Sequence, residues 1–154
     1  MTQKITTRYG NEGDATAKYH DRIARLNLRG AKVAAILAMT LVPLFSVLDY
    51  FVLTELFAPL LVFRVAVGLY CILVLYLITR PNATRYAYFY SASEVVVVAL
   101  AIATMVHLHD ALSPEQSPSH YYAGIILVVV AAGQLFRWTL RQAVTTFTII
   151  YLGY

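Results

Sequence analysis

The chain has 154 residues, 60% of them hydrophobic and only 13% charged, with a formal net charge of +4. A soluble domain carries about 25% charged residues, so this composition excludes an ordinary water-soluble domain. Eleven of the twelve Lys and Arg flank apolar runs and only Arg64 lies inside one. That distribution points to membrane topology and lipid as the surroundings, not to a nucleic-acid patch.

The lone Cys71 leaves no intrachain disulfide framework and no thiolate metal cluster. The first thirty residues are polar and of mixed charge, without the apolar core of a signal peptide.

The expected fold class is all-α: a polytopic transmembrane helical bundle of four full spans plus the start of a fifth. Residues 1–14, with Gly10 and Gly13, read as a flexible tail. Over 15–30, Tyr19, Ile23 and Leu26 share one helical face while Lys18, Arg22, Arg25 and Arg29 occupy the rest. This predicts a short amphipathic juxtamembrane helix on an anionic membrane surface, or a basic linker that fixes topology. The transmembrane domain then occupies 31–154. Its first span is expected over 31–53, with Pro43 inside it, and its second over 57–79 after a turn of a few residues, which makes the two antiparallel neighbours. Arg80, Pro81 and Asn82 break the helix. The third span is expected over 86–108. A polar loop with two prolines and no Lys or Arg follows, and then a shorter fourth span over 121–136. After Arg137 to Arg141 a further apolar run starts at Gln142. Its thirteen residues rise only ~20 Å, short of a ~30 Å hydrocarbon core, so the fifth span is expected to be cut off within the helix.

Charge sets the expected orientation. Residues 1–32 hold seven Lys or Arg, and the 80–85 and 137–141 loops hold two each. The 54–56 turn and the 109–120 loop hold none. The N-terminus is therefore predicted in the cytosol, with the acidic and histidine-bearing loops outside.

Three charged residues lie well within the predicted spans, away from their ends. Arg64 lies ~10 Å below the outer boundary, and Asp49 lies at a similar depth on the preceding span. Ala38, Val42, Phe45 and Ser46 share the face of Asp49, and Phe57, Leu60, Gly68 and Cys71 share that of Arg64. Pairing satisfies both charges where an isolated one costs several kcal/mol. The pair is read either as a clasp for the hairpin or as part of a sensing site. Glu94, ~12 Å deep from the other side, is a functional candidate by its position alone; a protonated acid, or one bonded to a tyrosine, is the plain alternative. His107, His109, Asp110 and His120 gather at the outer ends of spans three and four. With Glu55 they form a candidate outward-facing ligand or divalent-metal site around His109, His120 and Asp110. No recognised metal spacing is present, and His107 and His109 point about 160° apart on a helix. No cofactor is otherwise expected. The chain has no phosphate-binding glycine loop, nucleophile elbow or other catalytic machinery.

Two stretches carry a family resemblance: L-D-Y-F-V-L-T-E-L-F-A-P-L-L-V-F-R over 48–64 and H-Y-Y-A-G-I-I-L-V-V-V-A-A-G-Q-L-F-R-W over 120–138. They resemble the six-helix membrane domain that precedes the catalytic parts of bacterial class III adenylate cyclases. A related domain precedes the core of some sensor histidine kinases. The resemblance implies a homodimeric receptor and anchor in the bacterial cytoplasmic membrane, with its sixth helix and cytosolic output domain beyond these residues. It places Asp49, Glu55 and Arg64 on the family's charged positions, while Thr54 stands where the family has proline. A small transporter or channel subunit using Arg64 and Glu94, or a structural subunit of a complex, are the alternative readings.

Asn82-Ala83-Thr84 matches a glycosylation sequon. With a cytosolic 80–85 loop it stays unmodified when the protein is made in a eukaryotic host. A glycan on Asn82, read by mobility shift after glycosidase treatment, would reverse the orientation.

Overall fold

The computed structural model describes residues 3–52, 57–112 and 122–153. Among these residues five α-helices follow one another: α1 (Gln3–Val52), α2 (Phe57–Ile78), α3 (Ala87–Leu112), α4 (Tyr122–Leu135) and α5 (Leu140–Gly153). A short 3-10 helix, Ala83–Tyr86, leads into α3, and no strand occurs among the described residues.

Over Ala15–Phe51, Phe57–Ile78 and Ala83–Ala111 the helices are long and apolar enough to cross a membrane. A shorter apolar helix runs over Gly124–Leu135. The distribution of side chains agrees, because it inverts that of a water-soluble protein. Large apolar groups such as Leu44, Phe51, Val62, Leu69, Ile126 and Leu152 face outward. The buried set is instead rich in alanine and includes Asn27, Asp49, Arg64, Ser91, Glu94, His109 and Thr146. In hydrocarbon it is the polar groups, not the apolar ones, that must find partners inside.

The structure differs from the sequence reading most in α1. Residues expected to form a tail, a separate juxtamembrane helix and a first span form one helix of 50 residues, ~75 Å long at 1.5 Å per residue. No proline falls before Pro43. Gly30, the natural breaking point, has a packing role instead. A side chain there would run into the carbonyl oxygen of Leu135, so glycine is what lets α1 approach the end of α4. Gly68, on the face of α2 that carries Arg64, has nothing within 4 Å of where a Cβ would stand.

The breaks between helices have local causes. After α2, the Thr79 and Arg80 amides tighten onto the Tyr76 and Leu77 carbonyls, Pro81 offers no amide, and Arg80 folds back to bond the Tyr76 hydroxyl. Between α4 and α5, Phe136 makes the last helical bond, to Ala132. The helix restarts on a reciprocal cap: the Thr139 hydroxyl accepts from the Gln142 amide at 3.4 Å, and the Gln142 side chain accepts from the Thr139 amide at 3.0 Å.

α3 lies at the centre, packed against α1, α2, α4 and α5. Ala35, Val67 and Cys71 join α1 to α2, with Val98 and Ala101 of α3 closing over them. Ala31, Val95, Ala99, Ala132, Phe136 and Ile150 bring together α1, α3, the end of α4 and α5. Small residues dominate both clusters, which allows short interaxial distances where no hydrophobic force between helices is available.

The α4–α5 break depends on α1. Asn27, buried to 3% exposure, accepts from the Arg137 amide at 2.7 Å and donates to the Arg137 carbonyl at 3.5 Å. Replacing Asn27 with Leu strands both backbone groups and is expected to cost about 1–3 kcal/mol. Gly30→Val, which forces α1 off α4, is expected to be at least as damaging. Unfolding of the purified protein in mixed micelles measures both.

Candidate functional site

The two hairpin charges meet. Asp49 closes the face of α1 that carries Phe45, and Arg64 sits two turns into α2, fifteen positions later in the chain. Arg64 Nε and Nη2 both donate to Asp49 Oδ2, at 2.7 and 2.6 Å. The guanidinium carbon also lies 5.6 Å from the centre of the Phe45 ring, within cation–π range. Asp49 is 3% and Arg64 7% exposed, so water adds little screening, and charge-assisted hydrogen bonds of this length are among the strong ones. Leu60 and Met105, with Phe63 and Leu108 against them, pack the same region between α2 and α3. The arrangement binds α1 to α2 at a fixed register.

Glu94 has no such answer. It is 2% exposed on the inner face of α3, and neither carboxyl oxygen has a hydrogen-bond partner among the described residues. Arg64 is occupied by Asp49 and does not bridge to it. Cys71 and Tyr70 of α2 are within electrostatic reach of it.

The histidine group is only partly described: Glu55 and His120 lie outside the described residues. His109 is buried and its Nδ1 lies 3.4 Å from Asp110 Oδ1, whereas His107 is exposed. The two neighbours on α3 thus sit on different faces, as helical geometry requires. Among the described residues no group of three or more His, Cys, Asp or Glu is placed to hold a metal ion.

A second polar locus, absent from the sequence reading, surrounds the α4–α5 break. Besides the Asn27 bonds to Arg137, the Trp138 indole donates to Ser91 Oγ at 3.0 Å. Phe136 stacks on Trp138 with ring centres 5.1 Å apart and planes 6° from parallel. The Tyr88 hydroxyl donates to the Gln142 carbonyl and contacts Thr146 Oγ1, both at 3.2 Å. The one legible signal was the T-x-x-Q cap at Thr139–Gln142. Nothing in the sequence ties Asn27 to a position 110 residues away.

Fold and site together define an all-helical protein whose long apolar helices fit a membrane, with a buried ion pair between two of them. Compared with protein-family models, curated proteins and solved structures, the chain matches none of them.

The ion pair makes a sharp expectation. Arg64→Leu leaves the Asp49 carboxylate buried without its cation and should cost about 3–5 kcal/mol. Asp49→Leu should cost a similar amount, and the double replacement less than the sum. A double-mutant cycle on unfolding in micelles measures the coupling. Simple additivity would show that the two charges do not support one another.

Proposed function

We propose that this chain is the membrane anchor and signal-sensing domain of a bacterial signalling protein. Its N-terminus and the arginine-bearing loops lie in the cytosol, the Asp49 end of the hairpin lies near the outer face, and the output is a class III adenylate cyclase or a histidine kinase acting as a dimer. The reading rests on the resemblance of 48–64 and 120–138. The observation that carries it further is α1 itself. One helix holds a buried ion pair near one end and runs unbroken past Asn27 into an exposed segment bearing Lys18, Arg22, Arg25 and Arg29.

Such a helix suits transmission. A stiff rod tied to α2 at Asp49 and to the α4–α5 break at Asn27 couples the positions of two levels of the bundle, since a displacement at one end cannot be absorbed at a break between them. Its basic segment suits contact with anionic headgroups once it leaves the apolar zone. The surroundings fit lipid, with α1, α2, α4 and α5 carrying large apolar side chains on their outward faces.

The gene beyond Tyr154 provides the first test. An open reading frame continuing into a sixth span and a cyclase or kinase domain is expected, and a stop codon shortly after a fifth span overturns the reading. In the full-length protein, Arg64→Leu is expected to change cyclic-nucleotide synthesis or autophosphorylation several-fold, and Glu94→Gln much less. Equal tolerance of both would remove the ion pair from the signalling path. Ion or proton flux in proteoliposomes that is lost in Glu94→Gln would favour a transporter.

A further inference from the structure

The buried polar groups differ in one respect. Asp49 has Arg64, Asn27 has both backbone groups of Arg137, and Ser91 has the Trp138 indole. Thr146 has the Gln142 carbonyl, and His109 has Asp110. Glu94 alone has both side-chain oxygens buried and unbonded among the described residues. We propose that Glu94 is a proton-binding site of the bundle, which takes a proton from water as α3 closes against α1 and α2 and holds it as a neutral carboxylic acid.

The groups facing it leave this as the economical solution. From α2 come the Cys71 thiol and the Tyr70 hydroxyl. The part of α1 packed against this region offers Ala35, Ala38 and Val42. On α3, the Ser91 hydroxyl donates to the Tyr88 carbonyl while accepting from Trp138. α4 and α5 reach α3 through Ala132, Phe136 and Ile150 at Val95 and Ala99. None of these supplies a cation. Arg64, the only basic residue within an apolar run, is held by Asp49. A metal ion needs several oxygen or nitrogen ligands, and no group placed to hold one occurs among the described residues. A proton needs no further ligand. An ionised carboxylate in this position would be an uncompensated buried charge, the most costly arrangement a protein interior offers. The uptake balances simply: a glutamate ionised in water binds one proton on one carboxyl oxygen and enters the interior without net charge. This holds whether or not the chain feeds a cyclase or kinase.

Infrared difference spectroscopy of the whole chain in lipid nanodiscs at neutral pH reads the site directly. A carboxylic-acid C=O band is expected in the wild type, shifted in heavy water and lost in Glu94→Gln. Absence of that band from the wild type, or its persistence in Glu94→Gln, overturns the proposal. Should Glu94→Gln fail to fold, dicyclohexylcarbodiimide assigns the band in wild-type protein. The acid oxygen bonds to the carbodiimide carbon, the acid proton moves to a nitrogen, and nothing leaves. Loss of the band together with an adduct on the Glu94 peptide supports the site, and loss of the band with the adduct on another carboxyl overturns it.

Discussion

A charge within an apolar helix bundle has to be matched, and the rest of this structure depends on how the match between Asp49 and Arg64 is made. Two donors of one guanidinium converge on a single carboxylate oxygen, so neither helix can slide or rotate by a residue without separating them. That sets the register of α1 on α2. The Ala35, Val67 and Cys71 contacts follow from the same register, and they form the surface on which Val98 and Ala101 of α3 close. A hydrophobic pair of equal volume would fill the space but would tolerate several registers, because apolar contacts in lipid are weakly directional.

The second constraint is the broken helix. Wherever a helix stops inside an apolar surround, the backbone groups it releases need partners. At the α4–α5 break the partners come from elements distant in sequence: Asn27 for the Arg137 backbone and Ser91 for the Trp138 indole. Gly30 makes the approach possible. α1 therefore acts as scaffold twice, through an ion pair near one end and an asparagine further back, and its lack of a break between those points gives them a fixed relation. Glu94 lies on α3 with no hydrogen-bond partner among the described residues. The interior answers one charge with a counter-ion and one break with an amide, and leaves one carboxyl to be answered by a proton.

Much of this could be read from single stretches of sequence. The apolar runs between basic loops define α2 and the apolar part of α3 to within a few residues, because hydropathy and positive charge act locally and along the chain. Arg80, Pro81 and Asn82 mark a helix end through the missing amide and the tightened turn. The tight turn after α1 already implied that Asp49 and Arg64 could meet, since neighbouring antiparallel helices leave few alternatives. Less legible were the continuity of α1, where two glycines and a change of polarity suggested segments that the backbone does not honour, and the role of Gly30 as a point of close approach. The T-x-x-Q cap at Thr139 was legible but lay inside what reads as a basic loop.

By itself, then, the sequence determined the all-helical class, the apolar helices that fit a membrane and the hairpin on which an acid and an arginine are placed to pair, because each of these depends on neighbours within a few turns of the same chain. Only the tertiary structure decided that Asn27 would close the Arg137 break, that Ser91 would hold Trp138, and that Arg64 would be taken up by Asp49 while Glu94 found no hydrogen-bond partner among the described residues. Those outcomes depend on which helix faces meet, and facing is settled by the packing of alanine and glycine surfaces that carry almost no directional signal in the sequence.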